Sequence, residues 1–211
     1  MTAAFAPDSA TARHWDATYG IRGGGDVSWF QTAPVISLEL IEILGVPHDA
    51  AIIDIGGGAS LLVDHLVDRG FIDLSVLDVS ETALQYGRQR LSNNISVSWL
   101  REDLRAWQPV RQFDLWHDRA VFHFLVRKED RDGYLDAMRK GITPGGALVM
   151  ATFAEDGPEN CSGLPVARYS AEDLGSALGE HFEVLETRRE MHLTPGGIHQ
   201  PFTWIAARAK P

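Results

Sequence analysis

Only one of the 211 residues is a cysteine, Cys161. That excludes an intrachain disulfide and a cysteine-based metal cluster. No apolar run approaches the length of a membrane span. Residues 1–9 lack the charged segment and apolar stretch of a secretory leader. Positive charge is scarce as well. Nineteen Lys and Arg against 29 Asp and Glu give a formal net charge of −10, with no basic stripe. Nucleic-acid phosphate is therefore not the expected partner. A cytoplasmic chain that works without nucleic acid or membrane, as a monomer or homodimer, is the expectation. Its length fits one α/β domain over residues 1–211, with a core of useful size.

What is present centres on Ala51-Ile52-Ile53-Asp54-Ile55-Gly56-Gly57-Gly58-Ala59-Ser60. A Val/Ile-type run closed by glycines reads as a buried parallel strand entering a tight turn. Glycines there let the backbone approach a ligand that a Cβ would exclude. A helix starting at about Ser60 then points its free N–H groups back at that ligand.

Around this stretch the chain alternates. Residues 1–10 read as a loose tail, and 11–33 as an N-terminal lid. In the lid, Trp15 and Tyr19 share a helix face, Gly20 stops that helix, and Gly23-Gly24-Gly25 leads to Trp29-Phe30. A helix over 34–44 precedes the strand at 51–55, and a helix over 60–69 follows it. Strands are predicted at 72–77, 95–100, 113–116 and 147–152, with helices at 80–91 and 129–140 between them. A helix at 170–178 precedes two long strands at 182–190 and 202–208, joined through Thr194-Pro195-Gly196-Gly197 as an antiparallel hairpin. The pattern predicts a three-layer Rossmann-like α/β sandwich: a mostly parallel seven-stranded sheet whose last strand is antiparallel.

The ligand crevice of such a sheet lies beyond the carboxyl ends of its strands. Acids stand there: Asp54 ends the first strand, Asp78 the second, and Asp103 follows the third. An acid about 20 residues past the glycine turn suits ribose hydroxyls, which points to Asp78. Leu61 occupies the place of the third glycine of a dinucleotide turn, and Asp54 would repel a pyrophosphate. A phosphate-free ligand with a cationic centre tolerates that carboxylate, and S-adenosylmethionine is such a ligand.

Asp54-x-Gly56-x-Gly58, Asp78, Asp103-Leu104, the 113–120 segment and Pro144-Gly145-Gly146 resemble the ordered motifs of class I S-adenosylmethionine-dependent methyltransferases over roughly residues 11–208. The resemblance implies an enzyme that turns S-adenosyl-L-methionine into S-adenosyl-L-homocysteine. It implies Asp54 near the methionine ammonium, Gly56 and Gly58 under the cofactor, Asp78 on the ribose, and Asp103 with Leu104 on the adenine. Trp15, Tyr19, Trp29, Ser60, Val79 and Asp118 complete the expected cofactor-binding set. His14-Trp15-Asp16-x-x-Tyr19 before Trp29-Phe30 is similar to the small lysine methyltransferases that modify a translation elongation factor and citrate synthase. Where those show Asp-Lys-Gly-x-x-Asp, this chain has Asp118-Arg119-Ala120-Val121-Phe122-His123.

The acceptor is expected beyond the fourth strand, beside candidate catalytic residues His117, Asp118 and His123, with Arg119 supporting. His117, His123, His192 and His199 show no i, i+4 pair and no cysteine partner, so no metal is expected. Three functions follow in order. A small acceptor, a thiol or sulfide, needs little help from a base. A protein lysine must first be deprotonated. A non-catalytic cofactor-binding module would bind the cofactor and yield no product.

Overall fold

The computed structural model describes residues 9–92 and 97–211. In chain order the elements are α1 (Ala10–Arg22), α2 (Val35–Ile43), β1 (Ala51–Ile55), α3 (Leu62–Asp68), β2 (Asp73–Asp78), α4 (Glu81–Arg90), β3 (Val97–Arg101) and β4 (Phe113–Arg119). There follow α5 (Lys128–Gly141), β5 (Ile142–Phe153), β6 (Asn160–Cys161), β7 (Leu164–Pro165), α6 (Ala171–Leu178), β8 (Phe182–Leu193) and β9 (His199–Ala209). Seven strands form one sheet in the order β3-β2-β1-β4-β5-β9-β8, and β6 and β7 pair separately. The first five are parallel to one another, while β9 runs antiparallel to both β5 and β8. This is the predicted architecture, with the antiparallel strand inserted between β5 and β8.

All five residues of β1 are buried, because helices cover both faces of the sheet. Ala51, Ile53 and Ile55 pack with Trp116, Phe122, Tyr134 and Met138 on the α5 and α6 side. Ile52 packs with Leu40, Ile41, Leu62 and Leu66 on the α2 and α3 side. The two-residue alternation of a strand therefore decides which layer each side chain enters. A third cluster joins Tyr19 and Val27 to Ala59 and Ala83, with Trp15, Trp29, Phe30 and Tyr86 against it. It fastens the N-terminal segment over the start of α4.

Several predicted boundaries move. The tail is shorter than expected: Ser9 caps α1, its Oγ accepting the Ala12 N–H at 3.2 Å, and the helix starts at Ala10. Residues 1–8 of that tail lie outside the described residues, as does Ile95 at the predicted start of the third strand. Gly20 does not end α1, which continues to Arg22 and stops at Gly23, φ 75°. Solvated helix glycine is unfavourable by only about 1 kcal/mol, which packing overrides. The fifth strand starts at Ile142 and not at Ala147, so Thr143-Pro144-Gly145-Gly146 lies inside β5, where the register shifts between Phe113 and Leu115. Most important for the site, β4 continues three residues beyond Trp116, so His117, Asp118 and Arg119 are strand residues on alternating faces.

Candidate functional site

The cradle after β1 is built by close approach. Gly56 has φ +67° and its N–H donates to the Leu77 carbonyl at 2.6 Å. A Cβ there would fall 2.2 Å from Val121 Cγ2; at Gly57 it would fall 2.2 Å from Asp54 Oδ2. At Gly58 it would meet Ala83 Cβ at 2.5 Å and Asp78 Oδ2 at 2.6 Å. Larger residues are thus excluded by two carboxylates and the start of α4.

Asp78 ends β2 under this turn and is buried. Its Oδ2 accepts the Gly58 N–H at 3.2 Å and its Oδ1 the Ser80 N–H at 2.8 Å. Ser80 in turn caps α4 through the Ala83 N–H at 3.1 Å. Burial pushes Asp78 up to about 7; the Ser80 and Gly58 N–H groups work against that, and the Asp54 and Asp16 charges add to it.

Two cavities open from the carboxyl ends of the strands. The larger, about 220 Å³, is lined by Asp78, Val79, Asp103 and Leu104 on one side. Trp15, Phe124, Cys161 and Leu164 line it on the other. The smaller, about 40 Å³, is lined by Gln31, Ser37, Asp54, Gly57, Ser60 and His117. Tyr19, Trp29, Ile55, Gly56 and Arg119 line both and form the passage between them. The rings of Trp15 and Trp29 meet edge-on at 5.7 Å, and Trp15 meets Phe124 at 5.1 Å. Cys161 is buried, which pushes its thiol up to about 11, so it is held as a neutral wall residue.

Asp103 receives three donors from Arg105: the backbone N–H at 3.1 Å and Nε at 2.9 Å, both on Oδ1, and Nη2 at 2.5 Å on Oδ2. Arg105 Nη2 also reaches Thr11 Oγ1 at 2.9 Å, tying the third acid to α1.

The candidate catalytic residues separate by face. His117 lies on the α2 side with Asp54. Its Nδ1 is 2.7 Å from Asp54 Oδ1 and its Nε2 3.0 Å from Ser37 Oγ, all three residues buried. Both ring nitrogens of His117 are therefore engaged, one by a carboxylate and the other by a hydroxyl. Ser37 escaped the sequence reading. Its signal was a lone polar residue on the inward stripe of α2, in step with Leu40, Ile41 and Leu44.

Asp118 points to the opposite face and lines neither cavity. It accepts the N–H groups of Val121 at 2.9 Å and Phe122 at 3.2 Å, and the Tyr134 hydroxyl at 2.7 Å. Burial pushes it up to about 6 against those three donors and His117. Its bonds fix the turn in which Ala120 adopts φ 70°. His123 lies fully buried in the short 3₁₀ turn after that, away from both cavities, its Nδ1 accepting the Phe153 N–H at 3.3 Å. Burial, with Arg119 nearby, lowers it to about 3 and keeps it neutral. The structure therefore does not bring His117, Asp118 and His123 together.

Arg119 returns to the α2 face and joins His117 there. Its Nη1 donates to the Trp29 carbonyl at 2.8 Å, and its guanidinium lies 4.6 Å over the Phe202 ring. Burial lowers it to about 10, opposed by Glu190.

These residues fit S-adenosylmethionine by their unmet needs. Asp54 Oδ2 is buried without a hydrogen-bond partner among the described residues, facing the cradle where an ammonium would satisfy it. Asp78 is a buried acceptor in a cavity with apolar walls, as vicinal hydroxyls require. Residues 53–148 match the family model described as "Methyltransferase domain". The chain is 23% identical over 150 residues to malonyl-[acyl-carrier protein] O-methyltransferase 2 of Ilyobacter polytropus, spanning 66% of this chain and 57% of that one. It is 25% identical over 166 residues to EEF1A lysine methyltransferase 2 of Danio rerio, spanning 70% and 71%. The solved structure of an S-adenosylmethionine-dependent methyltransferase from Anabaena variabilis superposes with a TM-score of 0.75 at 17% identity, covering 100% of this chain and 99% of that one. Sheet order, glycine cradle, strand-end acids and these matches agree: residues 53–148 carry a methyltransferase domain, and the whole chain is similar in fold to S-adenosylmethionine-dependent methyltransferases.

Proposed function

We propose that the chain transfers the methyl group of S-adenosylmethionine to a small acceptor, and that the acceptor atom is a thiol or sulfide sulfur. The observation that carries the choice of sulfur is that both candidate bases are engaged. His117 is clamped between Asp54 and Ser37, and His123 is buried away from the cavities and held neutral. A lysine, whose pKa starts near 10.4, would need one of them; a thiol near 8.5 is a few per cent thiolate at about pH 7 without a base, and the thiolate is strongly nucleophilic.

In this reading Asp78 takes the ribose hydroxyls, with Val79 and Leu104 flanking the nucleoside and the Asp103–Arg105 pair closing its far end. Gly56 and Gly58 admit the backbone to contact distance. Asp54 holds the ammonium on its free Oδ2, while His117 and Ser37 hold its position from behind. Bound S-adenosylmethionine supplies an electrophilic sulfonium methyl. The aromatic faces of Trp15, Tyr19, Trp29 and Phe124 offer it cation–π contact and keep water out. The N-terminal segment from Thr11 to Ala33 acts as the lid. The acceptor sits between Trp29, Arg119, Phe124 and Leu164. The acceptor would enter as its thiolate, its proton already given to solvent outside the closed site. The bound cofactor would supply the methyl group to that sulfur and keep the electron pair of the C–S bond it gives up. Most of the rate comes from alignment, as in-line displacement requires.

Similarity to the lysine enzyme of Danio rerio supports protein as the competing acceptor. Incubation with isotope-labelled S-adenosylmethionine and separate pools of thiols, other metabolites and proteins decides between them. Label in the thiol pool is expected. Label in protein alone overturns the small-acceptor reading. Binding of S-adenosylhomocysteine by calorimetry without label in any pool reduces the chain to a cofactor-binding module.

A further inference from the structure

Arg119 has more donors than partners. Its side chain is only 10% exposed, and its Nε and Nη2 are buried without a hydrogen-bond partner among the described residues. Nη1 is already committed to the Trp29 carbonyl. Glu190 stands 3.8 Å from Nη2, beyond hydrogen-bond reach, because its own oxygens are held elsewhere. Gln31 Nε2 donates to Oε1 and Trp204 Nε1 to Oε2, each at 2.8 Å. A buried guanidinium in this condition is costly unless another acceptor completes it.

The two atoms left over are not an arbitrary pair. Nε–H and Nη2–H point in the same direction and form the side-on fork of the guanidinium, which matches the two oxygens of a carboxylate. The Arg119 side chain lines both cavities beside Trp29. The guanidinium lies over Phe202 and, at 5.9 Å, Trp204, both on β9. β9 is two strands beyond β4, at about 4.8 Å per strand, in the direction opposite to the cradle after β1 and to Asp78 on β2. The guanidinium is thus displaced from the cradle toward β9, beside the Trp29 carbonyl that Nη1 takes.

We infer that the methyl acceptor carries a carboxylate, held bidentately by Nε and Nη2 of Arg119 in the cavity beneath Trp29. This rests on the methyl-transfer reading above and narrows it to a small thiol bearing a carboxylate. Arg119 then sets specificity: it fixes the acceptor by its charged end and leaves the sulfur free to face the methyl.

The test uses the full chain saturated with S-adenosylhomocysteine, titrated calorimetrically with 3-mercaptopropionate and, separately, with propanethiol. The carboxylate-bearing probe should bind roughly 30-fold more tightly or better, as expected for a buried charge pair. Arg119→Gln should erase that preference. Arg119→Lys keeps the charge without the fork and should recover only part of it. Circular dichroism of each variant reports that the fold is intact, and its dissociation constant for S-adenosylhomocysteine should hold steady. Equal binding of the two probes overturns the inference, as does a preference that survives Arg119→Gln. A parallel loss of S-adenosylhomocysteine affinity also overturns it, since the guanidinium would then serve the cofactor's own carboxylate. A chain that binds S-adenosylhomocysteine and 3-mercaptopropionate but transfers no methyl keeps the carboxylate site and refutes the enzymatic reading, so the two failures are told apart.

Discussion

Replacing Asp78 by Asn should weaken the cofactor complex and strengthen the empty protein, with a pH dependence that identifies the cause. The carboxyl is buried and pushed from 3.8 to about 7, first by burial and then, against two backbone donors, by the Asp54 and Asp16 charges. Such a difference disfavours the ionised folded form by about 4 kcal/mol. Asn removes the charge but offers one acceptor to two N–H donors, Gly58 and Ser80. The orphaned donor returns about 1–3 kcal/mol of that gain. Above pH 7 the variant should therefore be more stable by about 2 kcal/mol, or roughly 4–8 °C in a chain of this size. The sign follows from proton binding. Between pH 3.8 and 7 the folded wild type holds a proton that the unfolded chain releases, so wild-type stability falls as pH rises through about 7. Lowering the pH from 8 to 5 should close the gap by about 3 kcal/mol and erase or reverse the variant's advantage. Asp118, raised to about 6, titrates in both proteins and cancels in the difference. Urea unfolding at pH 5, 6, 7 and 8 measures it, and calorimetry at pH 8 should show S-adenosylhomocysteine bound at least about 30-fold more weakly, from lost hydrogen bonds to a charged acceptor. A variant that is less stable than wild type at every pH, by a constant amount, would refute the reasoning.

Gly58→Ala should abolish most S-adenosylhomocysteine binding, because its Cβ would stand 2.5 Å from Ala83 Cβ and 2.6 Å from Asp78 Oδ2; calorimetry showing a change under twofold would contradict the cradle. Gly20→Ala should do the reverse of damage: the site is exposed, helical and free of neighbours within 4 Å, so thermal unfolding should show a gain of about 0.5–1 kcal/mol. Asp118→Ala should lower stability by about 3 kcal/mol or more by leaving the Val121 and Phe122 N–H groups and the Tyr134 hydroxyl without their acceptor. Its effect on the affinity of the folded fraction should stay well below that of Asp78→Asn, as isothermal titration of the two side by side would establish.

The cradle was legible in the sequence because everything that defines it is local or ordered along the chain. A buried strand, a glycine turn and a strand-end acid announce themselves within ten residues, and the acids at Asp78 and Asp103 follow from the rhythm of β–α units. The same rhythm gave the sheet and its terminal hairpin. What was not legible depends on where a strand stops. Reading β4 as ending at Trp116 placed His117, Asp118 and His123 in one loop around an acceptor. The strand continues to Arg119, and each added residue turns the next side chain to the other face. That alternation sends Asp118 to Tyr134 and returns Arg119 to the side of His117. Sequence also hides pairings between distant segments. Ser37 meets His117 from 80 residues away, and Trp29 meets Arg119 from 90. Neither spacing has a pattern, since helix docking and strand order create both contacts. The proposed acceptor pocket consists of such pairings. In that proposal the nucleoside lies at the ends of β1 and β2. The opposite wall of the larger cavity is assembled from the N-terminal segment, the end of β4 with the turn after it, and the 153–169 segment. Substitutions in any of these three reach that wall without touching the glycine turn. Acceptor choice therefore has to be read from unmet donors such as Nε and Nη2 of Arg119, which exist only once the chain is folded.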